Sequence, residues 1–319
     1  MELALLERVF CLAMCGGLLA IVSRLKSLLA LPLGLILVIS TSFLMYLSGK
    51  FHIFAFWHFT LFWIVVILEW LFPRDKSYKF LSKENLKSAC FIPFHALACL
   101  LVVFYFYELI QRWPNFRLNW VRETLPFWYQ VVFFIFTADL IIYCIHRAQH
   151  TYSWYWSFHR VHHASTQLTS FANFRTNIVA LALVPVASRI LLFNIFRAST
   201  DVILLANAIS FSITGVLSHS NLDFPGYRLR WLNYLIVTPN YHSLHHSIEE
   251  KFVNFAETFP LWDILFGTFE MPKAKAVIYG IQDQEFSQQN GFMQTIDPFL
   301  TVTKFLFGTV SSKPGRNQS

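Results

Sequence analysis

Residues 125–150 read LPFWYQVVFFIFTADLIIYCIHRAQH, an apolar run that ends in two histidines four residues apart. Roughly 20 mainly apolar residues cross a bilayer as a helix, and 125–145 supplies them. Asp139, Tyr143, His146 and His150 fall at i, i+4, i+7 and i+11, one stripe of a helix. The stretch predicts a membrane helix that delivers a histidine pair to the point where it leaves the bilayer.

Two further clusters lie downstream: His159, His162 and His163, then His242, His245 and His246, with His219 standing alone between them. Imidazole is the commonest side-chain metal ligand, and rings three or four residues apart on a helix reach one ion. Nine such histidines exceed what one tetrahedral or octahedral ion accepts beside a substrate, so they predict a centre of two ions. Structural zinc sites usually include thiolate, and no cysteine lies within a histidine cluster. A neutral, all-nitrogen shell also suits ferrous iron. Asp139, Tyr143, Asn221 and Asn240 are the candidates to hold the ligands' second ring nitrogens. His52, His58 and His95 lie singly in apolar runs and are read as packed helix residues.

The chain is 55% apolar and 18% aromatic, with 13% charged residues. A soluble domain carries roughly 25% charged residues, so the composition predicts a polytopic membrane protein. Further apolar runs fall at about 9–22, 28–47, 51–72 and 88–110. Weaker ones at 178–196 and 202–217 predict a hairpin or re-entrant pair. The net charge of +7 sits mostly in short loops, where it speaks of topology and lipid headgroups and not of nucleic acid. Basic loops 23–27 and 73–87 are assigned to the cytoplasm, and span parity then brings every cluster histidine to that same face. The five cysteines form no CxxC pair and are read as small buried apolar residues.

The expected architecture is all-α: a membrane helical bundle with a cytoplasmic helical cap carrying the dimetal site. It forms one domain over 1–319, with N-terminal membrane helices at 1–124, a catalytic region at 125–270 and a C-terminal tail at 271–319. Segments 227–232 and 261–266 mix aromatic, apolar and charged groups as interfacial helices do. The first apolar run lacks the basic flank of a secretory signal and is read as retained. The C-terminus shows neither a retention signal nor a prenylation box, which favours a bacterial inner membrane over endoplasmic reticulum. Arg147 and Arg160 are either interfacial cations or docking contacts for an acidic redox partner. Trp154, Trp156, Phe171 and Phe174 either line a substrate entrance or are ordinary interfacial aromatics.

The three boxes HxxxH, HxxHH and HxxHH, in this order, resemble those of the fatty acid hydroxylase/sterol desaturase superfamily of integral-membrane diiron enzymes. The resemblance spans about 130–270. It is carried also by Asp139 and Tyr143, by His219 with Asn221, by Thr238-Pro239, and by Asn254 with Trp262-Asp263 and Phe266-Gly267-Thr268. It departs at Phe174-Arg175-Thr176-Asn177, where an arginine-histidine-proline stretch is common. The resemblance implies two irons held by His146, His150, His159, His162, His163, His242, His245 and His246, with His219 as an additional ligand. It also implies O2 as co-substrate, a lipid substrate, and electrons from a separate cytochrome b5-like or ferredoxin-type protein. The chemistry implied is hydroxylation of a lipid C–H bond, with desaturation as the alternative at the same site. A histidine-rich metal transporter is the reading from another class; it predicts ligands deep within several spans, whereas these histidines sit at span ends.

Overall fold

A computed structural model describes residues 53–80, 82–92, 118–180, 187–222, 229–249, 251–272 and 277–306. The apolar runs 9–22 and 28–47, most of 88–110, loop 23–27, His52, His95, Cys11, Cys15, Cys99 and Tyr227-Arg228 lie outside these residues, as does the side chain of His58. Described residues are helical, with two isolated β-bridges and no strand. In chain order the helices are α1 (Ile53–Leu71), α2 (Lys83–Ala89), α3 (Trp120–Thr124), α4 (Phe127–Thr151), α5 (Ser153–His163), α6 (Ala187–Ile195) and α7 (Thr200–Phe211). They continue with α8 (Pro239–His245), α9 (Leu261–Leu265), α10 (Gln284–Gln288) and α11 (Gly291–Leu306).

Helix ends follow local chemistry. Pro126 precedes α4, where its missing N–H costs nothing. Ser82, Ser199 and Thr238 cap α2, α7 and α8 by accepting from Asn85, Val202 and Tyr241 N–H. Helix α4 runs 25 residues without a break, and it alone among the described helices is long and apolar enough to cross a bilayer. The apolar stretch and the first histidine box are thus one rod.

Of the expected pair at 178–217, residues 181–186 lie outside the described residues, and the rest includes the two helices α6 and α7. α6 and α7 are joined at Arg197, whose φ of 53° is left-handed, and both pack on α4. Val131, Phe134, Ile135 and Ala138 of α4 bury against Leu192 of α6 and Val202 and Ala206 of α7. The polar residues of 202–217 bond to their own helix: Asn207 Nδ2 to the Ile203 carbonyl, Ser212 Oγ to Ala208 and Thr214 Oγ1 to Ser210. These bonds to carbonyls four residues back satisfy polar side chains within the helix itself.

A second core joins Phe62, Trp63, Val65, Val66 and Ile67 of α1 to Phe171 and Val216. Two expectations are corrected here. Phe171 and Phe174 pack edge-on against Phe62 and belong to this core, not to an entrance. Cys90 and Cys144 are exposed; Cys144 follows Tyr143 on α4 and so points away from the buried stripe.

Candidate metal centre

All four residues of the α4 stripe are buried, as the period required. After α4 the chain turns at Tyr152, and α5 carries the second box back against it. α8 brings the third box, and a π-helical turn at Ser212–Leu217 presents His219. In that wider turn the Ser218 N–H reaches the Ile213 carbonyl five residues back. His219 Nδ1–H likewise donates to the Thr214 carbonyl at 3.0 Å.

The nine histidines gather into two groups. His146, His150, His159, His163 and His245 form one; His162, His219, His242 and His246 form the other. Within each group one ring nitrogen per residue lies within 4.8 Å of the rest, and every member is buried. Neighbours in sequence divide between groups: His162 from His163, and His245 from His246. Successive helical residues diverge by about 100°, so each HxxHH box faces both groups at once.

Hydrogen bonds fix the tautomers. Nδ1–H donates to a backbone carbonyl in His146 (Phe255, 2.7 Å), His162 (Arg175, 3.3 Å), His219 (Thr214) and His245 (Val253, 2.9 Å). A neutral imidazole has one N–H, so Nε2 of each carries a bare lone pair. Yet His162 Nε2 and His219 Nε2 face each other at 3.0 Å, two acceptors with no proton between them. His242 Nε2 stands 3.0 Å from both His219 Nε2 and His246 Nε2. His159 Nε2 stands 3.1 Å from both His146 Nε2 and His163 Nε2. His245 Nε2 is buried and has no hydrogen-bond partner. Converging lone pairs repel unless a cation lies among them. With metal–nitrogen bonds of about 2.1 Å, adjacent ligands of an octahedral ion stand roughly 3.0 Å apart. Both groups therefore fit an ion, and neither includes a thiolate or carboxylate.

A proton does not fill that role well. Burial holds His162, His163, His242, His245 and His246 well below the ordinary imidazole range, with repulsion among neighbouring rings adding to it. Burial takes His219 to about 4, against the Thr214 carbonyl, which raises it. A depressed pKa in the folded chain means that the unfolded chain binds more protons below about pH 6.5. Folded-state stability should therefore fall as pH drops from 6.5 toward 4, by up to about 1.4 kcal/mol per pH unit for each imidazole. Thermal melting of the metal-stripped chain between pH 8 and 5 checks this; a flat midpoint contradicts it. Metal should stay bound to the folded chain until pH approaches 4, since the ligating imidazoles remain neutral above their depressed pKa.

The carbonyl partners are themselves held. Asn254 sits at a left-handed φ of 59°, which asparagine tolerates better than most residues. Its Nδ2 donates to the Tyr241 and Glu270 carbonyls. This shapes the turn that aims Val253 and Phe255 carbonyls at His245 and His146. Asp263, fully buried, accepts from Phe255 N–H, Ala256 N–H, Tyr241 O–H and Thr268 O–H at 2.6–2.8 Å. Arg175, also fully buried, pairs with Glu84 at 2.6 Å and donates to Gln294 Oε1 at 3.0 Å. Its own carbonyl receives His162.

The residues expected behind the ligands act one step further out. Asp139 accepts from Thr258 N–H, Phe259 N–H and Trp262 Nε1–H. Tyr143 bonds Thr268 Oγ1 at 2.8 Å. Asn221 Oδ1 accepts from Asp75 N–H, and Asn240 Oδ1 from Arg74. The ring nitrogen of His146 is taken by a main-chain carbonyl, which no residue type announces. Arg160 pairs with Asp283 and Asp297 and lies over the Phe286 ring. Arg147 reaches Tyr143 Oη and the Phe252 ring. Both arginines thus make internal contacts. Of the four aromatics, Trp156 meets the centre, its ring 5.0 Å from His150 and 5.3 Å from His163. Trp154 is exposed and stacks on Tyr155.

Residues 131–268 match the family model described as fatty acid hydroxylase. Ornithine lipid hydroxylase OlsE of Rhizobium tropici is 31% identical over 162 residues, covering 50% of this chain and 45% of that protein. Alkylglycerol monooxygenase of Caenorhabditis elegans is 25% identical over 197 residues, covering 60% and 37%. Very-long-chain aldehyde decarbonylase GL1-1 of Oryza sativa subsp. indica is 30% identical over 143 residues, covering 42% and 22%. The chain spans less than half the length of each of these relatives. No solved structure matches it.

Proposed function

We propose that the chain, whose residues 131–268 match the fatty acid hydroxylase family model, is a membrane-bound oxygenase that hydroxylates a C–H bond of a lipid. The observation that carries this is the pair of imidazole groups whose ε-nitrogens converge at 3.0–3.1 Å. Iron is the metal: an all-imidazole shell accepts it, and the relatives include a hydroxylase and a monooxygenase. His146, His150, His159, His163 and His245 hold one ion; His162, His219, His242 and His246 hold the other. Two bound irons supply O2 activation, in which two externally delivered electrons and two protons let one oxygen atom enter the C–H bond while the other leaves as water.

The chain's own residues bind, orient and shield. Main-chain carbonyls fix the rings of His146, His162, His219 and His245 so that their ε-nitrogen lone pairs point inward before metal arrives, which keeps reorganisation small. Trp156 and Phe255 flank the five-histidine group, Phe255 lying 5.2 Å from His150, and they limit water there. The substrate is a fatty acyl, sterol or related lipid, and electrons come from a separate cytochrome b5-like or ferredoxin-type protein.

Membrane placement rests on α4. Trp128 and Tyr129 are exposed at its start, and Tyr152 and Trp154 just beyond its end. About 24 residues separate these rings, or roughly 36 Å of helix, near the separation of the two aromatic belts of a bilayer. The histidine groups then sit at one interface, where an amphiphile keeps its headgroup wet while its chain reaches the ions. The wider arrangement proposed is a multi-pass chain forming one domain over 1–319. Its site faces the cytoplasm, and a bacterial inner membrane is favoured over endoplasmic reticulum. Growth of expressing cells under 18O2, followed by lipid mass spectrometry, tests the reading. A lipid class gaining one labelled oxygen is expected. A lipid that loses two hydrogens without label replaces hydroxylation by desaturation, and an unchanged lipid profile contradicts both.

A further inference from the structure

We infer that Arg74 is a positioning residue that sets the four-histidine group. The inference rests on the dimetal reading above. Arg74 follows α1 in a loop whose basic residues speak, in sequence, only of topology. Its main-chain N–H donates to the Asn221 carbonyl at 2.7 Å, beside the isolated bridge between Pro73 and Leu222. Asp75 N–H adds a bond to Asn221 Oδ1 at 3.1 Å. The guanidinium of Arg74 meanwhile donates through Nη1 to the Pro239 carbonyl and Asn240 Oδ1, both at 3.3 Å, and through Nη2 to Tyr279 Oη.

One residue therefore ties together two ligand-bearing segments. Asn221 lies two residues after His219; Pro239 and Asn240 open the helix that carries His242 and is capped at its end by His246. Three of the four donors of that group come from these segments. The five-histidine group draws four of its donors from α4 and α5 and only His245 from α8. Releasing Arg74 should let His219 drift from His242, whose ε-nitrogens now meet at 3.0 Å. The α4–α5 set should stay in place. Lysine is a poor substitute, because a single ammonium lacks the planar fork that serves two directions at once.

The test is anaerobic titration of the metal-stripped full chain in detergent with Co(II), read by visible absorption. It compares wild type, Arg74→Ala, Arg74→Lys, Tyr279→Phe and Lys76→Ala. Lys76 is exposed in the same loop and removes the same charge without touching either segment. Wild type and Lys76→Ala should take up two equivalents with unchanged affinities. Arg74→Ala should keep the first and bind the second at least about tenfold more weakly, the range expected when a ligand's support is lost. Arg74→Lys should fall between. Should Arg74→Ala fail to purify folded, Arg74→Lys and Tyr279→Phe decide by the same criterion. Wild-type affinities for both ions in the Arg74 variants, or equal weakening of both, overturns the inference. A wild type that takes up fewer than two ions overturns the dimetal reading, and this role with it.

Discussion

Replacing His159 with alanine should abolish oxygen incorporation into lipid, lowering labelled product by more than about 100-fold. That figure is the upper end of what losing a ligand's supporting partner costs, and His159 is proposed as a ligand itself. Its ε-nitrogen stands 3.1 Å from those of both His146 and His163, so it occupies the middle of the five-histidine group. Removing it leaves a void between rings whose lone pairs are already aimed. The same substitution should cut bound metal from two ions toward one. Labelled lipid at near wild-type level in His159→Ala would refute the assignment of that group.

Asp263→Ala should destabilise the chain by at least about 3 kcal/mol, because it leaves several buried donors unpaired. Four donors converge on this carboxylate, and each buried donor left unpaired costs about 1–3 kcal/mol. The damage should travel. Asp263 anchors the turn whose Phe255 and Val253 carbonyls hold His146 and His245, and through Thr268 it reaches Tyr143 on α4. Asp263→Asn should lose less, since its remaining oxygen still accepts while its amide meets donors. Thermal melting in detergent with metal analysis reads both effects. A melting midpoint within a degree or two of wild type in Asp263→Ala would show that the network is dispensable.

Side-chain periodicity made much of this legible in the sequence. Asp139, Tyr143, His146 and His150 share a face because a helix repeats every 3.6 residues, and the structure buries all four. The HxxHH boxes announced two ions' worth of ligands for the same geometric reason. What stayed hidden is carried by the main chain or by distant residues. The carbonyls of Phe255, Arg175, Thr214 and Val253 orient rings, yet a carbonyl belongs to every residue and leaves no pattern. Glu69 is an acid within the apolar run 51–72. Its Oε1 accepts from Ser170 N–H, Ser170 O–H and Asn221 N–H, tying α1 to the loop after the second box and to the turn after His219.

The segment 277–306 showed no role in sequence because its contacts span more than a hundred positions. Asp283 and Asp297 hold Arg160 on α5, and Gln294 meets Arg175. No local spacing predicts such pairs. The exposed Cys90 and Cys144 were missed differently: composition says that an apolar segment is buried from water, not which of its faces meets protein.

Metal content of the anaerobically purified full chain is the most direct measure of the central claim. Two irons per chain are expected, one for each histidine group. A single ion per chain, or zinc in place of iron, would contradict it.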